Sequence, residues 1–237
     1  MNTKQKITNP FDIPELTYII INMLDLKSIG RMIQVNQSLK IFIQDMSIYR
    51  ELMNCFYYSK STFYFSVEKY NSIDKIFMCA CKNGFLKLVK FLSEKEADIH
   101  VNDDYAFRWA CAYDSLDVAK FLVEKEANID ACNDCALRWA CAHGHLDVAK
   151  FLVENGANIH AGDNYALRYA CECGQLEGAK FLVENGANIH AVNDSALKWA
   201  CQSGHSDVVK FLVEKGANIY VDVWTHKFLI EHNIIKN

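Results

Sequence analysis

Apolar residues recur along the chain after residue 75 at a fixed interval of 30 residues. Three columns return in five successive units, namely a cysteine, a lysine and a phenylalanine (Cys81, Cys111, Cys141, Cys171 and Cys201; Lys90, Lys120, Lys150, Lys180 and Lys210; Phe91, Phe121, Phe151, Phe181 and Phe211). A constant period of this length indicates a tandem array in which each unit packs on its neighbours.

Within one unit the pattern predicts two short helices. In the third unit Leu137, Ala140 and Cys141 share one helical face, and Gly144 ends that helix. A second amphipathic helix follows, ends at Gly156 and leads into a polar connector. Helices this short are marginal alone, so adjacent units must stack. The first two units carry Glu96, Glu126 and Asp114 where later units have glycine, which predicts strained helix ends there.

The third unit contains the string ALRWACAHGHLDVAKFLVENGANI, which resembles the ankyrin repeat with its T-P-L-H-x-A-A and G-A-D/N signatures. The resemblance covers residues 76–225 as five units (76–105, 106–135, 136–165, 166–195 and 196–225) and implies an all-α, ankyrin-repeat solenoid. These units are about three residues shorter than is usual in the family, so we expect a short connector between one unit and the next. Clipped repeats of this kind resemble the ankyrin arrays of giant DNA viruses (Mimivirus-like). Residues 226–237 are predicted to be a truncated C-terminal cap.

Residues 1–54 contain no copy of the repeat. After Pro14, which suits the first turn of a helix, the apolar positions keep a helical period and predict a small bundle of three helices. The segment resembles the F-box, whose L-P-x-E-L start and W-R-x-L end match a set of residues here (Ile13, Pro14, Glu15, Leu16, Leu24, Asp25, Ile29, Val35, Phe42, Tyr49, Arg50 and Leu52). One residue is missing before Glu15, and Tyr49 replaces the tryptophan.

The F-box resemblance implies docking to the Skp-type adaptor of a cullin–RING ubiquitin ligase. The residues it assigns to that contact are apolar positions of the first helices (Ile13, Pro14, Leu16, Ile20, Leu24 and Val35). The alternative interpretation is a bundle that only caps the open end of the solenoid. Residues 55–75 are rich in aromatic side chains and are predicted to form a junction between the two parts.

Composition places the chain among ordinary soluble proteins, since 51% of its 237 residues are apolar and 23% are charged. The formal net charge of -4 favours neither nucleic acid nor an anionic lipid surface as partner. We find no signal peptide and no membrane anchor in the sequence, and expect an intracellular, cytoplasmic protein, in the host cytoplasm if it is viral.

Some cysteine and histidine spacings suggest metal or catalytic sites, but packing and hydrogen-bonding roles are favoured for these residues. Cys132-x-x-Cys135 could form half of a zinc site, yet zinc needs four converging ligands, and the periodic cysteines occur once per unit. The pair His143 and His145 lies where ankyrin repeats place Gly-His for hydrogen bonding. We therefore expect a protein without enzymatic activity, catalytic residues, cofactor or metal.

The first helices and connectors are predicted to form a concave face that binds a target protein. Its candidate residues are a basic column and several connector positions (Arg108, Arg138, Arg168, Lys198, Asp104, Tyr105, Asp134, Asn164, Tyr165 and Asp194). An aromatic column lies beside the basic one (Trp109, Trp139, Tyr169 and Trp199) and fits either a binding surface or packing between units. The sequence thus predicts a monomeric adaptor for a protein target of unknown identity.

Overall fold

The computed structural model describes residues 72–94, 97–220 and 222–235. Almost all of these residues lie in the second of the chain's two units, Ile76–Asn237. The predicted three-helix module at 1–54 lies outside the described residues, as does most of the predicted junction at 55–75. Within the described part, all regular secondary structure is helical.

Eleven helices occupy the described residues. They are α1 (Ser72–Lys82), α2 (Leu86–Ser93), α3 (Val101–Ala112), α4 (Leu116–Glu124), α5 (Ala131–His143), α6 (Leu146–Glu154), α7 (Ala161–Glu172), α8 (Leu176–Glu184), α9 (Ala191–Gln202), α10 (Ser206–Glu214) and α11 (Val223–Glu231). A longer helix alternates with a shorter one, and each type returns at the interval seen in the sequence. No helix in this part of the chain is both long and apolar enough to cross a membrane.

The helices pack in two rows. The first helices α3, α5, α7 and α9 contact one another in that order, and the second helices α2, α4, α6, α8 and α10 do the same. In the central units each first helix also contacts the second helix that follows it. This arrangement is the predicted all-α solenoid, in which neighbouring copies supply the burial that one short helix pair lacks.

Repeated apolar columns form the core between the rows. Leu122, Leu152, Leu182 and Leu212 on the second helices are completely buried. The periodic cysteines are buried as predicted, and burial raises the pKa of the Cys141 and Cys171 thiols to about 12. These thiols are therefore neutral at physiological pH and pack as small apolar side chains.

Left-handed residues end the helices where the sequence predicts them. Gly144 (φ 78°) follows α5, and Gly156 (φ 97°) follows α6. The equivalent places in the preceding unit hold Asp114 (φ 59°) and Glu126 (φ 67°), which adopt the same backbone region with a side chain attached. Each of them costs about 1–2 kcal/mol relative to glycine on steric grounds.

The connectors contain a left-handed turn that the sequence analysis did not predict. Three consecutive residues at the start of each first helix have positive φ, for example Gly162 (55°), Asp163 (56°) and Asn164 (60°) before the right-handed part of α7. The same turn occurs in α3, α5 and α9. The chain therefore passes from one unit to the next without a hairpin, in agreement with the short connector expected from the reduced length of the units.

The last helix, α11, packs on α9 and so continues the row of first helices. In sequence, the segment KFLIEHNIIKN that starts at Lys227 resembles the second-helix segment KFLVEKGANIY of the fifth unit, yet the helix it belongs to takes the place of a first helix. Asp222 explains the difference, because its carboxylate accepts hydrogen bonds from the Thr225 backbone N–H (2.7 Å) and hydroxyl (2.9 Å) and caps a helix that begins at Val223. Desolvation raises the pKa of Asp222, but these bonds and the Lys198 charge outweigh it and lower the pKa overall.

Candidate protein-binding face

A column of basic and aromatic side chains runs across the row of first helices. We call it the first-helix face and define it by four neighbouring pairs of residues on α3, α5, α7 and α9 (Arg108 and Trp109, Arg138 and Trp139, Arg168 and Tyr169, Lys198 and Trp199). All four aromatic rings are partly exposed. Because the units are identical in length, each pair occupies the same place on its helix.

Arg108 is the most enclosed cation of this face, with 6% of its surface exposed. Its Nε donates to the Asp103 carbonyl at 2.9 Å, and Nη2 donates to the Asn102 carbonyl at 2.8 Å. Its guanidinium also lies over the Tyr105 ring (5.0 Å) and the Trp139 ring of the next unit (6.0 Å). Arg108 therefore braces the left-handed turn of α3 and offers little surface to a partner.

Arg138 and Arg168 lie over the same tyrosine ring. The guanidinium carbon is 4.8 Å from the Tyr165 centroid for Arg138 and 4.7 Å for Arg168. Arg168 also lies 5.0 Å from the Trp199 ring of the next unit. Its Nη2 donates to the Gly162 carbonyl at 2.7 Å, while its buried Nε has no hydrogen-bond partner among the described residues. Cations and rings thus alternate from α5 to α9, an arrangement that stabilises both.

A cavity of about 400 Å³ opens between α5 and α7. Its walls are the rings of Trp139, Tyr165 and Tyr169 together with Arg138, and its lining is completed by Asn133 and Gly162. The depression is shallow and open, and its exposed lining combines these rings with a larger share of polar atoms. Three rings of the first-helix region therefore border an open depression as well as packing on their neighbours.

The two ends of the column also carry cations. Lys82 of α1 places its Nζ 5.0 Å from the Trp109 ring and 4.5 Å from the Tyr113 ring. Lys198 lies near Asp222, whose pKa its charge helps to lower. In the part of the chain that the structure describes, no ion pair joins any of these lysines or the three arginines to a carboxylate.

The candidate connector residues lie mostly below the surface. Asp104, Asp134, Asn164 and Asp194 are 5–7% exposed. The Oδ1 atoms of the last three accept hydrogen bonds of 2.8–2.9 Å from backbone N–H groups 24 residues further along (Asn158, Asn188 and Asn218). Their side chains therefore hold one connector to the next, and we leave them out of the proposed binding surface. Tyr105 and Tyr165 are partly exposed and pack on Trp109 and Tyr169.

A histidine lies beside three of these four positions. The Nδ1 atoms of His100 and His190 are 2.9 Å from Asp104 and Asp194, and His160 Nδ1 is 3.1 Å from Asn164. The remaining unit has Asp130 in place of the histidine. Burial raises the pKa of Asp134, a hydrogen bond from Asn158 opposes that shift, and the Asp130 charge adds to it.

The histidines considered as catalytic candidates are engaged by backbone carbonyls. His143 Nδ1 contacts the Trp139 carbonyl at 2.8 Å, and His145 Nε2 contacts the Ala112 carbonyl of the preceding unit at 3.0 Å. Cys132 is exposed whereas Cys135 is buried. Among the described residues, no group of three or more histidine, cysteine or acidic side chains converges as metal ligands would.

One cation of this face could not be predicted from the sequence, and one group of predicted residues is not described by the structure. Lys82 was not predicted as a site residue, because the first unit has Met78 in the basic column. The residues assigned to adaptor docking (Ile13, Pro14, Leu16, Ile20, Leu24 and Val35) lie outside the described residues.

Comparison with known proteins agrees with the repeat pattern. A family model described as ankyrin repeats (3 copies) matches residues 77–163 and 160–222, more than half of the chain. No curated protein matches the sequence.

Proposed function

The chain belongs to the ankyrin-repeat family, and on this premise we propose that it is a non-enzymatic adaptor whose first-helix face captures a target protein. Ankyrin repeats support a protein–protein interaction scaffold. The proposed surface consists of the accessible members of the face, namely Arg138, Trp139, Arg168, Tyr169 and Lys198.

The observation that carries this proposal is the aromatic cavity beside Arg138. Aromatic residues and arginine are enriched among the residues that dominate binding energies at protein interfaces. The second helices present a different surface, in which the charged residues of α6 (Asp147, Lys150 and Glu154) are exposed. Exposed ion pairs are worth little free energy, whereas the arginines of the first-helix face lie against aromatic rings.

The role of the N-terminal module is a proposal from sequence alone. The F-box-like pattern of residues 12–54 supports recruitment of a Skp-type adaptor and with it a cullin–RING ubiquitin ligase. The competing proposal is a plain ankyrin-repeat scaffold in which these helices only cap the array. In an affinity purification, the first proposal requires the Skp-type adaptor to be recovered with the wild type and lost with Leu16→Ala, while the target is retained.

We also propose an intracellular site of action, as a monomer. The nine described cysteines are all free thiols. Free thiols in this number are typical of reducing compartments. The resemblance to arrays of giant DNA viruses would place the protein in the cytoplasm of the host.

Site-specific photo-cross-linking of the full chain tests the proposed face. A benzophenone amino acid is introduced at Tyr169 on α7 or, as matched control, at Lys150 on α6. We expect discrete protein adducts from position 169 and none from position 150. Adducts from position 150 alone would place the interface on the second helices and contradict the proposal.

A further inference from the structure

Three cations in successive units remain available on the first-helix face. Arg138, Arg168 and Lys198 are partly exposed, whereas Arg108 is enclosed. A guanidinium has five N–H donors, and the described contacts use one in Arg138, to Cys135 Sγ at 3.1 Å, and one in Arg168. Lys198 donates no described hydrogen bond. The three side chains thus retain both charge and donors for an anionic ligand.

Contacts with aromatic rings hold the two arginines in place before any ligand arrives. Tyr165 lies against both guanidinium groups, and Trp199 lies against Arg168. Arginine in a fixed orientation recognises carboxylates through paired hydrogen bonds. The cavity beside Arg138 can accept the carbon stem of an acidic side chain between aromatic walls. The site therefore suits carboxylates carried on short apolar stems.

The spacing of the units limits the shape of such a ligand. Packed helices lie about 8–10 Å apart, and a peptide in the extended polyproline II conformation advances about 3.1 Å per residue with three residues per turn. Three residues of such a chain therefore span about one unit of the array and return the side chain to the same face of the peptide. Carboxylates at every third residue would meet Arg138, Arg168 and Lys198 in turn.

The surrounding charges disfavour a dense polyanion. Asp103 and Asp163 are exposed near the starts of α3 and α7, and Glu172 is exposed at the end of α7. The chain also has a formal net charge of -4. Nucleic acid carries a phosphate at every nucleotide and would bring some of its charges close to these carboxylates. A peptide with spaced charges avoids that repulsion.

We propose that the first-helix face binds an extended acidic peptide segment of its target, with carboxylates at every third residue paired to Arg138, Arg168 and Lys198. This inference rests on the proposed function and specifies the chemistry of the partner.

Fluorescence anisotropy of labelled peptides with the full chain tests the inference. One peptide repeats the triplet Glu-Ser-Ser, and the second has the same composition with its glutamates clustered at one end. A single charge-assisted hydrogen-bonded pair is commonly worth a factor of about ten or more in affinity. We expect the periodic peptide to bind about tenfold more tightly than the clustered one, and both to weaken at high salt.

Variants of the face provide the second part of the test. Arg168→Gln is expected to weaken the periodic peptide by about tenfold. Lys198→Gln should have a similar effect. Lys198 makes no described hydrogen bond but its charge acts on Asp222, which caps α11, so thermal unfolding of this variant is measured alongside its binding. Lys150→Gln on α6 removes the same charge from the second-helix surface and should leave binding unchanged.

Equal affinities for the two peptides, or an equal loss with Lys150→Gln, would overturn the inference. Tighter binding of a short single-stranded thymidine oligomer, weakened by the same variants, would replace the peptide with nucleic acid. If neither peptide binds while position 169 still yields protein adducts, the acidic-peptide inference fails and the proposed function stands. If neither peptide binds and position 169 yields no protein adducts, both the acidic-peptide inference and the proposed function fail.

Discussion

The Oδ1 atom of Asp134 accepts a hydrogen bond of 2.8 Å from the backbone N–H of Asn158, which lies 24 residues further along the chain. Asp134 is the last residue of the left-handed turn that begins α5. The bond therefore ties the turn of one unit to the connector of the next. Asn164 and Asp194 repeat it in the following units.

Removing the Asp134 acceptor should destabilise the array. Asp134→Ala leaves the Asn158 N–H without its partner, which costs about 1–3 kcal/mol of unfolding free energy. Asp134→Asn is the matched control, because Asn164 makes the same contact with an amide oxygen. We expect that variant to be at least as stable as the wild type. Chemical denaturation of both variants checks the order, and equal stability of the alanine variant would contradict it.

The raised pKa of Asp134 gives this site a pH dependence. An aspartate in an unfolded chain has a pKa of about 3.9, and in the folded protein burial, reinforced by the Asp130 charge, raises it. As pH rises through this window, the unfolded chain releases its proton first, so folded-state stability falls and then levels off. Asp134→Asn lacks this loss, and its advantage over the wild type should grow with pH across the window. An advantage that shrinks as pH rises would refute the assignment.

Val192 occupies a backbone conformation that suits glycine. Its φ is 52° and half of its surface is exposed, whereas the equivalent place in α7 holds Gly162 at 55°. Val192→Gly removes the steric cost of a side chain at positive φ but adds the conformational entropy that glycine loses on folding. The net effect should raise the free energy of unfolding by about 1 kcal/mol or slightly less. The reverse change, Gly162→Val, should destabilise it, since a Cβ there lies 3.1 Å from Asn133 Nδ2. Thermal unfolding of the pair tests both signs.

Glu126 ends α4 in the left-handed region with φ 67°, where Gly156 ends α6. Glu126→Gly should therefore raise the unfolding free energy by about 1 kcal/mol. Glu124→Gly changes the same residue type at the last helical residue of α4 and should lower stability by at most about 1 kcal/mol. Stabilisation by both variants, or by neither, would show that backbone strain at residue 126 does not lower the free energy of unfolding.

The helical array was predictable because the same residue types recur at the same position of every unit. Cysteine and glycine recur at places where only a small side chain or a positive φ is accommodated, so Cys141 and Gly144 already indicated a helix face and its end. The left-handed turn was not predictable, because Val192 and Cys132 fill its first position without any preference for that conformation. In α5, α7 and α9 the turn is joined to the next connector by long-range bonds such as that between Asp194 and Asn218, which no local sequence pattern reveals.

The binding face could be predicted only in part, because a repeat aligns residue types and does not reveal which ones are accessible. Arg108 and Arg138 are equivalent in sequence, yet Tyr105 and two backbone carbonyls enclose the first, while Cys135 leaves room around the second. The predicted aspartates were misleading for a similar reason. A polar residue in a connector fits surface binding and backbone support equally well until its hydrogen bonds are known.

Quantitative affinity purification with paired double variants tests the binding face most directly. Arg138→Gln with Arg168→Gln removes two cations from the first helices, and Lys150→Gln with Lys210→Gln removes two from the second helices of the same array. We predict that the protein partner recovered with the wild type is lost with the first pair and retained with the second. Retention with the first pair and loss with the second would contradict it.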